Sequence, residues 1–164
     1  MNRAKRSIFS LTSLHFRKKG RVEEAGEDVP KSREARLDMG WRILALSIGG
    51  ALGVNARYWL GVWFSKWAGE HFPWATFTIN ITGSFAIGFL GMTLIHWWPH
   101  PNARFFAITG FLGAYTTFSS LTLETLVLWE RGATWGSLFN ALGSLVFGMI
   151  AVVLGVALGR ASIH

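Results

Sequence analysis

The chain has 164 residues, a formal net charge of +7 and no cysteine, so disulfides, thiolate metal sites and cysteine nucleophiles are excluded. Residues 1–40 hold ten of the 16 Lys and Arg and six of the nine Asp and Glu. A basic chain can indicate nucleic-acid binding. The tail, however, has only two aromatic residues, Phe9 and Phe16, and no nucleic-acid motif, so we expect no nucleic-acid partner.

This charge distribution divides the chain into three parts. Residues 1–40 are predicted to form a charged, disordered N-terminal tail, because so many charges oppose burial. Residues 41–160 are predicted to form a membrane domain, since only nine charged residues occur from Trp41 onward. Residues 161–164 would be a short C-terminal tail.

Four apolar runs follow the tail, at 42–64, 75–97, 104–128 and 135–158. Each is about as long as a bilayer crossing, roughly 20 residues. Backbone groups in lipid must pair within their own segment, so the runs are predicted to be four transmembrane helices and not strands. Tryptophans near the ends of the runs, at both predicted interfaces, support these boundaries.

The loop charges give almost no orientation preference. Arg42, Arg104 and Arg160 lie on one predicted side, and Lys66 and Arg131 lie on the other. Such a balance allows insertion both ways, which makes an antiparallel homodimer a reasonable hypothesis. The basic tail argues the other way, because it favours a cytoplasmic N-terminus.

Small and polar residues recur every four positions on two of the runs. The second run carries Thr76, Asn80, Ser84 and Gly88, and the fourth carries Gly136, Asn140, Ser144 and Gly148. Close helix packing explains the glycines. It explains Asn80 less well, because an amide at membrane depth is costly unless it finds partners or water. Packing and function therefore both stay open for Asn80.

The third run contains an unusual stretch, "GFLGAYTTFSSLTLE", from Gly110 to Glu124. Gly110 and Gly113 each weaken a helix by roughly 1 kcal/mol relative to Ala. The hydroxyls that follow compete with helical hydrogen bonding. We predict a broken third helix, whose freed carbonyls would be buried in protein, line water or coordinate an ion. The alternative is a continuous, hydroxyl-rich helix.

Three segments resemble the bacterial Fluc/CrcB fluoride channel family in order and spacing. They are "GGALGVNARYWL" (49–60), "ATFTINITGSFAIGF" (75–89) and the stretch from Gly110 to Glu124. The resemblance covers 41–160. It implies an all-α membrane protein that forms an antiparallel, dual-topology homodimer with two fluoride pores and a structural sodium ion at the dimer interface.

The resemblance also implies roles for individual residues. Asn80 would contact fluoride through its amide, and a ring edge of Phe118 would face the pore. The backbone carbonyls of Gly113 and Thr116 would hold sodium. Thr76 would be a hydroxyl at the pore entry, and Ser144 would be a serine on the polar track of the fourth helix. Arg57 would be the vestibule arginine, and Glu124 would be the acid of the third helix.

Two pathway positions depart from the family pattern. Leu121 stands where a second pore aromatic is usual, and a leucine offers no positive ring edge. Asn140 stands where a tyrosine is usual, an exchange that keeps a hydrogen-bond donor. We therefore expect conduction to survive and selectivity or rate to differ.

The predicted function is passive, fluoride-selective export across the bacterial inner membrane by a multi-pass channel, which would give fluoride resistance. The alternative is a small dual-topology, proton-coupled multidrug transporter, which needs a carboxylate in its central cavity. Apart from Arg42 at its start, the only charged residue of the first run is Arg57, and the run has no carboxylate, which disfavours that alternative. An enzyme is not expected, because the histidines are scattered and Ser119 and Ser120 lack a plausible base.

Overall fold

The computed structural model describes residues 33–69 and 71–163, and side chains from Leu37 onward. All regular elements in these ranges are helical. They are α1 (Arg33–Ala68), α2 (Trp74–Trp97), α3 (101–115), α4 (Phe118–Glu130) and α5 (Thr134–Ala161). The predicted all-α class is thus confirmed.

Three of these helices are long and apolar enough to cross a membrane: Leu37–Ala68 within α1, all of α2, and all of α5. The second and fourth apolar runs therefore match observed helices to within a few residues. The third run is divided between α3 and α4, each of which is shorter than a bilayer crossing. The chain is a multi-pass membrane protein.

Helix α1 begins at Arg33, inside the segment that we assigned to the charged tail. The assignment of 33–40 to disorder therefore differs from the structure. Those residues are rich in helix formers such as Arg, Glu, Ala and Leu, and the helix continues through them. The rest of the predicted tail, 1–32, lies outside the described residues, as does His164.

Glycines set the closest contacts between helices. A Cβ at Gly49 would collide with the carbonyl oxygen of Phe106 on α3, and one at Gly53 would collide with that of Phe111. Helices α2 and α5 make a similar contact, where a Cβ at Gly88 would collide with the Val152 carbonyl. Small residues thus let the backbones approach, as the packing interpretation predicts.

Two helices contain a wider, π-helical stretch that the sequence analysis missed. In α3 it covers Phe105–Leu112, and in α5 it covers Phe139–Gly143. Such stretches often mark functional sites. The second one contains Asn140, so the local widening falls at a candidate pathway residue.

Candidate functional site

The third run breaks at two consecutive threonines. Thr116 and Thr117 are both extended, with φ −77°, ψ 157° and φ −151°, ψ 118°. Thr117 then caps α4, because its Oγ1 accepts a hydrogen bond of 3.2 Å from the backbone N–H of Ser120. The predicted break is present. It lies at the hydroxyl pair, whereas Gly110 and Gly113 stay helical.

Asn80 on α2 holds this break in place. Its Nδ2 donates to the carbonyl of Thr117 at 3.0 Å, and its Oδ1 accepts from the N–H of Thr117 at 2.9 Å. The amide thus supplies both backbone partners that an unbroken helix would otherwise provide. The cost of an amide at membrane depth is offset by these two bonds. One amide hydrogen of Asn80 takes no part in them.

A cleft of about 660 Å³ opens beside the break. We call it the central cleft, and among the described residues that line it none is charged. Phe118 lies at its edge with 77% of its surface exposed. Six of the ten predicted site residues meet here: Asn80, Gly113, Thr116, Phe118, Leu121 and Ser144.

Asn140 lies behind the central cleft and is fully buried. Its Nδ2 donates to Thr125 Oγ1 at 2.9 Å and more weakly to the Leu121 carbonyl at 3.4 Å. Asn140 thus keeps a hydrogen-bond donor where a tyrosine is usual, but this donor binds Thr125 and Leu121 within the protein and does not face the cleft. Ser137 joins the same cluster, because its Oγ donates to the Thr125 carbonyl at 2.9 Å.

Sequence reasoning did not single out Thr125 or Ser137. A usable signal was present, because Leu121 and Thr125 are four residues apart and Ser137 precedes Asn140 by three. Such spacings place side chains on one helix face. The sequence could not show that this face of α4 packs against the face of α5 that carries Ser137 and Asn140.

Thr76 and Glu124 form a separate pair between α2 and α4. The hydroxyl of Thr76 donates to Glu124 Oε1 at 2.7 Å, and Oε2 is buried without a partner among the described residues. Glu124 lines a second cleft of about 400 Å³, together with Arg131 at its rim. The predicted acid and hydroxyl are therefore brought together, but beside the central cleft and not in it.

Arg57 is half-buried on α1 and lines neither cleft. Its predicted vestibule role stays a prediction. Gly113 lies in the last turn before the break and Thr116 lies within it, and in the described part of the chain their carbonyls accept no backbone hydrogen bond. The carbonyl of Gly113 is free because the Thr117 N–H, which would reach it in a continuous helix, donates to Asn80 Oδ1.

Comparison with known proteins places this architecture in a family. The sequence profile described as "CrcB-like protein, Camphor Resistance (CrcB)" matches residues 44–156, well over half of the chain. The chain belongs to the CrcB family. The resemblance drawn from three sequence motifs is thereby confirmed.

Several relatives of this CrcB-family chain carry the name "Fluoride-specific ion channel FluC". The protein of Rhizobium meliloti (strain 1021) is 45% identical over 122 residues, which cover 74% of this chain and 98% of the relative. That of Nitrobacter winogradskyi is 44% identical over 119 residues, covering 72% and 94%. That of Agrobacterium fabrum (strain C58 / ATCC 33970) is 46% identical over 122 residues, covering 72% and 95%. The family thus consists of ion channels and not of enzymes.

Proposed function

We propose that this chain forms a passive, fluoride-selective channel that exports cytoplasmic fluoride and gives fluoride resistance. The observation that carries the proposal is the uncharged central cleft with Asn80 fixed at its wall. The 41–46% identity to proteins named fluoride-specific ion channels supports the same substrate.

The chemistry of the cleft suits a small, strongly hydrated anion. Removing water from fluoride requires compact donors, and the free amide hydrogen of Asn80 at the wall of the cleft is of this kind. Phe118 can add the positive edge of its ring. Because no charged residue lines the cleft in the described part of the chain, an anion can bind and also leave, as conduction requires.

The proton-coupled multidrug transporter is less well supported. That mechanism needs a carboxylate inside the cavity that binds the cation. Glu124 lines the smaller cleft instead, and Thr76 occupies one of its two oxygens. We retain this alternative only as an outcome of the transport assay described below.

We also propose four crossings in all, in the bacterial inner membrane. Helices α3 and α4 have 15 and 13 residues, or about 22 and 20 Å at 1.5 Å per residue. Neither spans a hydrocarbon core of about 30 Å, but the two in series do. The break would then lie inside the bilayer, where irregular backbone is tolerated only in protein or beside water.

An antiparallel homodimer with two pores would complete the site. The central cleft is open on one side of the single chain, and Phe118 projects there. Gly113 is likewise exposed. A second copy could close the cleft and shield the break from lipid, which the single chain does not do.

A sodium ion at the interface of the two copies fits the residues present. The carbonyls of Gly113 and Thr116 accept no backbone hydrogen bond within the described residues, and unwound backbone carbonyls are typical sodium ligands in membrane proteins. When bound, the ion would neutralise these dipoles. In each copy of the chain, the carbonyls of Gly113 and Thr116 would be the groups that hold it.

Ion efflux from liposomes that contain the purified protein tests the proposed function. We expect fluoride to leave and chloride to stay, with a rate set by the membrane potential and not by a proton gradient. Equal release of both anions would refute selectivity. Transport of organic cations that requires a proton gradient would favour the multidrug transporter instead.

A further inference from the structure

Two polar atoms on α5 are buried without a hydrogen-bond partner in the described part of the chain. They are Asn140 Oδ1 and Ser144 Oγ. The two residues are 0% and 6% exposed. Buried polar groups are almost always paired, with protein or with ordered water. Two unpaired atoms on one helix face therefore indicate a missing partner.

The orientation of the Asn140 amide follows from its neighbours. Its Nδ2 faces the Leu121 carbonyl and the hydroxyl of Thr125, which itself donates to the Leu121 carbonyl at 2.7 Å. A flipped amide would set two acceptor oxygens, Asn140 Oδ1 and Leu121 O, against each other. The unpaired atom of Asn140 is thus its oxygen, which accepts hydrogen bonds and repels anions.

The missing partner must donate a hydrogen bond to Asn140 and must fit near Ser144. Ser144 lies four residues further along α5, on the same helix face, and borders the central cleft. Fluoride cannot donate, so the permeating anion does not satisfy Asn140 Oδ1. Water can donate and accept, and a polar recess with two or more partners is where buried water occurs.

We propose that Asn140 and Ser144 bind a fixed water molecule at the back of the central cleft. The water would donate one hydrogen to Asn140 Oδ1 and accept the Ser144 hydroxyl hydrogen. Its second hydrogen is then free to point into the cleft. The hydroxyls of Thr122 and Thr125, which flank Leu121 on α4, donate to the carbonyls of Ser119 and Leu121, so this water would supply a donor at that level of the cleft.

The role of this water in permeation rests on the proposed fluoride channel, whereas its presence does not. Water-mediated contacts are nearly as favourable as direct ones. An anion that passes Leu121 would bind the fixed water and not the protein itself. Asn140 is then a positioning residue, which acts on the anion through the water.

A high-resolution experimental structure of the full chain, determined without and with fluoride, tests the binding site directly. We expect density between Asn140 Oδ1 and Ser144 Oγ in both conditions, and its loss in Ser144→Ala, which removes only a hydroxyl. A recess that is empty in the wild type would overturn the proposal. Density that appears only with fluoride would also overturn it, because the ligand would be the anion.

A double-mutant cycle in the liposome assay tests the role of the water. We expect Asn140→Leu and Ser144→Ala each to slow fluoride efflux about tenfold, roughly the effect on a rate of one lost hydrogen bond. Because both remove the same water, the double variant should be no slower than the slower single one. Losses that multiply would refute a shared water.

Thr93→Val provides the matched control. Thr93 on α2 is also fully buried, but its hydroxyl is paired, because it donates to the Phe89 carbonyl at 3.0 Å, and Thr93 does not line the central cleft. We expect Thr93→Val alone to leave efflux at the wild-type rate, and Thr93→Val combined with Asn140→Leu to give the rate of Asn140→Leu alone. If wild-type liposomes released no fluoride at all, the proposed function would fail, and the density experiment would still decide whether the water is bound.

Discussion

Asn80→Asp separates the structural role of Asn80 from its role toward the anion. In the wild type the amide donates to the Thr117 carbonyl at 3.0 Å and accepts from the Thr117 N–H at 2.9 Å. Aspartate keeps the acceptor but loses the donor, and it sets a carboxylate oxygen against the carbonyl. Thr117 is buried, so its unpaired carbonyl costs about 1–3 kcal/mol of stability.

The new negative charge has a larger effect on transport. Two unit charges of the same sign about 4 Å apart repel by roughly 4 kcal/mol at an effective dielectric constant of about 20. A barrier raised by that amount slows passage about a thousandfold. We therefore expect Asn80→Asp to fold with reduced stability and to lose measurable fluoride efflux.

The assay pairs fluoride efflux, followed with an ion-selective electrode, with thermal unfolding of the same preparation. Asn102→Asp is the matched control, because Asn102 lies in the first turn of α3 and lines neither cleft. We expect it to transport like the wild type. A folded Asn80→Asp protein that releases fluoride at the wild-type rate would refute the assignment of Asn80 to the pathway.

Three further substitutions test other contacts. Gly83→Ala would drive its Cβ into the Cγ2 methyl of Thr116 at the break, so we expect the free energy of unfolding to fall by about 1–3 kcal/mol, measured by thermal unfolding. Gly91→Ala on the same helix, where the space is open, should leave it unchanged. Leu121→Phe would add a ring edge to the central cleft and should raise the fluoride-to-chloride ratio of efflux; an unchanged ratio would contradict this. Thr76→Val would remove the 2.7 Å bond to the α4 carboxylate and should lower stability by about 1–3 kcal/mol, with Thr76→Ser restoring it.

The sequence by itself determined the helical class and the position of the long apolar helices. Helix α2 begins and ends within a residue of its predicted run, because length and apolarity alone define a bilayer crossing. The break in the third run was also predictable, since adjacent hydroxyls compete with helical hydrogen bonds. Both features depend only on residues that are close together in the chain, so the sequence is enough to predict them.

Only the tertiary structure decided what the polar residues bind. It pairs Asn80 with the Thr117 backbone, 37 positions away, and Asn140 with Thr125, 15 positions away. It also separates Glu124 from the central cleft. Periodicity gives the face of a helix on which a side chain lies, but the partner depends on which helices pack together and at what depth. Which helices pack together, and at what depth, is set by close contacts such as the one between Gly88 and the Val152 carbonyl. Each such contact depends on a residue of the neighbouring helix as well as on the glycine.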